Sequence, residues 1–337
     1  MRCKKGWLNV YTTSDYWDVE PICYEPDHIS VVEEQIKINF PSVFQSFLEL
    51  EAGTGVSNDQ FAALQAHFGV EKTLRSSSKS LGETYRRLID EGITEFEKDR
   101  QEYLNIFDEE SLEEYEDDPN TFKSVILKNK CPIIRKTLAN KRAKQLDKYR
   151  NDFNLASAEK LLSVVRNLSA FGSTYHNKTN NNERYLTISS YEDLGLHPLG
   201  TDDYTAFGVI GGGIKTHMLF KNWPDVFSNR SRNALWALWY LTDKRSFGCH
   251  TDSEFLMIDT KKVITQQNYF YPYELFGWYA LFVYRMLQNE AEKLGAMIPP
   301  EHRYVIVDQF FDFIASQHSE EIDLMQSQIA NEGRGYD

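Results

Sequence analysis

No two of the four cysteines, Cys3, Cys23, Cys131 and Cys249, stand in a C-x-x-C spacing. That spacing excludes a zinc knuckle and argues against a disulfide framework, so reduced, structural thiols are expected. Long apolar runs are missing as well. The longest, Ala234–Leu241 and Leu275–Leu287, fall short of the roughly 20 residues a membrane-spanning helix needs, and the second carries Arg285. The opening Met-Arg-Cys-Lys-Lys imitates a basic leader. The Gly6–Tyr11 stretch that follows is too short and too polar for an apolar signal core. A cytoplasmic protein without membrane contact is the expectation. Three catalytic or nucleotide-binding signatures are also lacking: the G-x-x-x-x-G-K-S/T phosphate loop, the full G-x-G-x-x-G fingerprint and the G-x-S-x-G elbow. His28, His67, His176, His197, His302 and His318 have no nucleophile partner nearby in sequence.

Core-forming material is plentiful. Of 337 residues, 41% are hydrophobic and 14% aromatic, which excludes disorder over most of the length. The length suggests two units. We place them at 1–175 and 184–337, divided by the Asn-rich stretch 176–184, which reads as a linker.

Net charge is −13, but it is unevenly spread. Residues 1–129 hold 13 basic and 26 acidic side chains, residues 130–235 hold 16 and 9, and residues 236–337 hold 8 and 15. A partner feels the field within about 10 Å at moderate salt rather than the sum, so the basic middle block is the informative part.

The periodicity predicts a mainly α, multi-helical fold with a small β-hairpin or sheet in the C-terminal half, and an α+β arrangement as the alternative. Helices are expected from Ser30 onward, over 61–68 and over 81–107. Further ones are expected over 133–153, 156–171, 229–241 and 273–294. Gly172 and Gly295 read as stops for two of them. Tyr185–Ile188 reads as a short strand, and Tyr304–Phe313 fits strand or helix equally. Glu254–Ile258 and Val263–Gln267 flank Thr260-Lys-Lys as a hairpin would. Between the helices, Asp108–Asp118 is acidic at eight of eleven positions. It reads as a solvated segment or as a surface for a protein partner.

The most suggestive string is Val209-Ile-Gly-Gly-Gly-Ile-Lys-Thr-His217. It resembles the second half of a helix-hairpin-helix, with Gly211, Gly213, Lys215 and Thr216 at matching places. Gly212 and His217 depart from the pattern. The resemblance covers about a dozen residues and implies contact with nucleic-acid phosphates. Glycines let a backbone come close to an anion, and the free N–H groups at a helix N-terminus bind it. Lys141, Arg142, Lys144 and Lys148 on the expected basic helix, with Arg230 and Arg232, would extend a phosphate-binding surface. Glycosylase chemistry is not supported, because Asn229 stands where that family places its aspartate.

A second string lies near 250. His250, Asp252 and Glu254 fall at alternate positions and, with Asp259, form a candidate metal-ligand set. The apolar run ending Asp259-Thr-Lys261 resembles the core of PD-(D/E)xK nucleases. That resemblance implies catalytic roles for Asp252, Asp259 and Lys261, with Gln267 and Tyr271 in a Q-x-x-x-Y spacing and Mg2+ or Mn2+ as cofactor. A hairpin turn explains the same residues without catalysis. A third reading makes the protein a non-catalytic scaffold whose acidic surfaces face a protein partner.

Overall fold

The computed structural model describes residues 20–51, 78–143, 146–249, 254–259 and 264–332. The expected helix over 61–68 lies outside them.

Helix α1 (Pro26–Glu51) turns Val32, Ile36, Phe40, Phe44 and Phe47 inward at helical spacing. The single helix expected over 81–107 is two, α2 (Ser78–Glu97) and α3 (Arg100–Phe107). The chain breaks at Lys98–Asp99, where Asp99 turns to meet Lys221 at 2.8 Å. Next come α4 (Glu109–Glu114) and a π-helical stretch, Phe122–Lys130.

The expected basic helix over 133–153 is also divided, into α5 (Pro132–Ala139) and α6 (Asp147–Leu155). Asn140 leaves helical geometry. Arg150 folds α6 back by donating to the carbonyls of Asn140 and Ala143. Helix α7 (Ala158–Thr179) starts at Ser157, whose hydroxyl accepts from the Lys160 amide. It runs through Gly172 instead of stopping there. A Cβ at that position would lie 2.0 Å from the Trp223 ring, so the glycine serves close packing and not a helix end. The Asn-rich stretch is not a linker. It holds the last turn of α7, an Asn181 cap and the start of α8 (Asn182–Thr187). Tyr185, expected in a strand, lies in α8 with its ring buried under the Arg303 guanidinium.

Helix α9 (Gly212–Asn222) begins at the glycine cluster, and α10 (Arg232–Leu241) follows. Strands β1 (Leu256–Asp259) and β2 (Ile264–Gln267) pair antiparallel with Leu256 opposite Gln267. This four-pair ladder builds no sheet layer. The fold is mainly helical, and the α+β alternative does not hold. Helix α11 (Tyr273–Lys293) ends before Gly295, which has φ +66°. Helices α12 (Arg303–Gln317) and α13 (Ser319–Glu332) complete the described chain, so Tyr304–Phe313 is helical.

Helix α10 packs on α12 and α1, α11 lies along α12, and α9 rests on α3. Aromatic side chains seal these contacts. Phe47 meets Phe310 at 5.5 Å and Phe313 at 5.1 Å, and Phe44 meets Tyr85 at 5.2 Å. Side chains from both expected units, 1–175 and 184–337, enter one continuous buried cluster. No helix among the described residues is long and apolar enough to cross a membrane.

Candidate anion-binding site

The glycine string folds as a tight turn that launches α9. Ala206 and Ile210 bridge backbone to backbone, at 3.1 and 2.7 Å. Gly211 is extended, and the helix starts at Gly212. The first amides of a helix have no partner within it. Among the described residues nothing accepts from the amides of Gly212, Gly213 or Ile214. Gly213 is exposed, and Gly211 and Gly212 are partly so.

Two cations stand behind this turn. Lys215 was expected at the surface, and it is buried instead. Its ammonium donates to the Leu199 carbonyl and to Thr205 Oγ1 at 3.0 Å. Burial pushes its pKa down to about 8, with the neighbouring Arg230 charge adding to the effect and Asp202 opposing it. Arg230 is buried too. Its guanidinium donates to the carbonyls of Tyr271 at 2.8 Å and Tyr269 at 2.9 Å. Burial lowers its pKa to about 10. It lies flat against the first turn of α9, because a Cβ on Gly212 would sit 1.6 Å from Nη2. That contact explains the third glycine, which departs from the helix-hairpin-helix pattern. Arg230 Nε is buried with no partner. Neither cation pairs with a carboxylate among the described residues.

The remaining residues singled out in the sequence are scattered. Thr216 is buried, bonding back to the Gly212 carbonyl and accepting from the Arg230 amide. Arg232 is exposed at the start of α10. Lys141 and Arg142 are exposed in the turn between α5 and α6, and Lys144 lies outside the described residues. Lys148 pairs with Asp152 at 2.9 Å. Asp152 in turn lies against the glycine turn, 2.5 Å from where a Gly208 Cβ would be. The structure thus brings α6 beside the turn but occupies its nearest lysine. The acidic stretch 108–118 is partly used internally. Asp108 and Asp118 cap helices, and Glu116 pairs with Arg166.

The other string takes a different form. His250, Asp252 and Lys261 lie outside the described residues, and Asp259 stands in β1 opposite Ile264. Gln267 is buried in β2. Glu254 does not face solvent. Its carboxylate is buried and takes a hydrogen bond from Tyr271, another from Tyr279 at 3.3 Å, and one at 2.7 Å with His28 Nε2. Beside it, Cys23 Sγ lies 3.8 Å from Cys249 Sγ. Sequence reading missed Cys23 and His28. Each stands 226 residues from its partner, so no local spacing could announce them.

No family model matches the chain, and no curated protein or solved structure matches it.

Proposed function

We propose that the protein binds nucleic acid through its phosphate backbone, seating one phosphate on the first turn of α9. One observation carries this reading: three amides with no acceptor among the described residues, backed by two buried cations that pair with no carboxylate among them. A helix N-terminus carries about half a positive charge, and charge held in a low-dielectric interior is weakly screened. Lys215 and Arg230 therefore contribute through their field and not by touching the ligand. Exposed Arg232, Lys141 and Arg142 supply the sequence-independent attraction that positions a duplex.

Binding of a labelled DNA duplex, followed against salt, tests the idea. Affinity is expected at low ionic strength, falling with a log–log slope of about 0.9 per phosphate contacted. Gly211→Asp separates binding from folding. Open space surrounds a Cβ at Gly211, so the new carboxylate can cap α9 and occupy its amides. It is expected to stabilise the fold by about 0.5 kcal/mol while reducing duplex binding at least tenfold. Binding that is absent at low salt, or untouched by this substitution, ends the proposal.

A further inference from the structure

We infer that Cys23, His28, Glu254 and Cys249 form a zinc site that clasps the start of α1 to the segment entering β1. The inference is independent of the α9 turn and rests on a separate set of residues.

The ligand atoms of Cys23, His28 and Glu254 lie within 4.8 Å of one another, and all three residues are buried. Cys249 stands outside that group but beside Cys23, and would close in as the fourth donor. Its sulfur stands 3.8 Å from that of Cys23. Two thiolates on a tetrahedral zinc, each at about 2.3 Å, have their sulfurs about 3.8 Å apart. The sulfurs are therefore already spaced for a shared ion. To admit one, His28 Nε2 and Glu254 Oε2 part from their 2.7 Å contact and the Cys249 side chain turns in toward them.

The surroundings suit a metal. Glu254 Oε1 is held by the hydroxyls of Tyr271 and Tyr279, which leaves Oε2 to face His28. Such outer hydrogen bonds orient a ligating carboxylate. The Phe255 ring lies 5.2 Å from that of Tyr271 and 5.9 Å from that of Tyr279, which keeps the pocket apolar. Among the described residues no lysine or arginine pairs with Glu254. A buried carboxylate is costly without compensation, and a divalent cation supplies it. Two thiols select zinc over the Mg2+ or Mn2+ expected for a nuclease.

The test uses the full chain, stripped of metal by chelation under reductant, and titrated with Co2+ alone and then Zn2+ alone. One Co2+ per chain is expected, with a thiolate-to-cobalt charge-transfer absorption and tetrahedral d–d bands that Zn2+ bleaches. Cys249→Ser is expected to halve the charge-transfer intensity. Tyr271→Phe keeps all four ligands and is expected to weaken Zn2+ binding ten- to a hundred-fold. It remains informative if Cys23→Ser fails to fold. The inference is overturned if the folded chain gives no charge-transfer absorption. It is equally overturned if Cys23→Ser or Tyr271→Phe binds Zn2+ as the parent does, or if the two sulfurs form a disulfide that survives reductant.

Discussion

The two polar clusters have opposite electrical problems. Around the α9 turn, Lys215 and Arg230 are buried with carbonyls and a hydroxyl but pair with no carboxylate among the described residues. Around Glu254, a carboxylate is buried with hydroxyls, a thiol and an imidazole but pairs with no lysine or arginine among them. Neutral dipoles take the hydrogen bonds in both places, Arg230 Nε excepted, without cancelling charge. The first cluster has open amides leading to solvent, so the ion that would balance it belongs to a ligand. In the second, Cys23, His28 and Glu254 are all buried, so its counter-ion would be a resident. Hydrogen-bond satisfaction and charge balance are separate requirements, and burial makes the second visible.

The strongest way to break this contrast is Glu254→Ala. It leaves His28, Tyr271 and Tyr279 facing a void, and denaturant unfolding should show a loss of about 3–5 kcal/mol. A loss under about 1 kcal/mol would mean that the carboxylate organises nothing. Gly212→Ala is next. Its methyl cannot share space with Arg230 Nη2, so the guanidinium must move and surrender carbonyl bonds. A cost of about 2–3 kcal/mol is expected in the same assay. A neutral result would place the guanidinium elsewhere.

The smallest effect concerns pH. Lys215 has a folded pKa of about 8, below the usual lysine value of 10.5. The unfolded chain therefore binds more protons between those values, and stability contributed by this group rises with pH across that window. Below pH 8 the penalty is constant and fully present. Lys215→Met removes it but strands the Leu199 carbonyl, so a net gain of about 1 kcal/mol at pH 7 is expected. The gain should vanish or reverse at pH 10. Equal effects at both pH values would show that the ammonium is not desolvated.

Much of the helical framework was readable in the chain. The stripe from Val32 to Phe47 and the helix ended by Gly295 follow from spacing and stop signals, and a helix launched from the glycines is what the helix-hairpin-helix resemblance implies. Two of the readings that failed did so for tertiary reasons, and a third stayed open. The helix over 133–153 breaks because Arg150 reaches back to Asn140, a bond no local propensity encodes. Gly172 looked like a stop because sequence cannot show Trp223 arriving from another segment. Tyr304–Phe313 stays open between strand and helix because its first four residues, Tyr304, Val305, Ile306 and Val307, are all buried and show no period. At the glycine turn, the residue types were legible but not their direction. A lysine after glycines suggests a hand held out to phosphate, whereas Lys215 points inward and Arg230 explains Gly212.

The ties Cys23 to Cys249 and His28 to Glu254 share one sequence separation, 226 residues. On a ribosome adding about 5–20 residues per second, the front of α1 waits roughly ten to forty-five seconds for its partners. Throughout that interval Val32, Ile36, Phe40 and Phe44 lack the late-made helices that cover them. A nascent chain stalled before α12 is made should therefore be a substrate for chaperones, and release should come once Gln317 clears the exit tunnel.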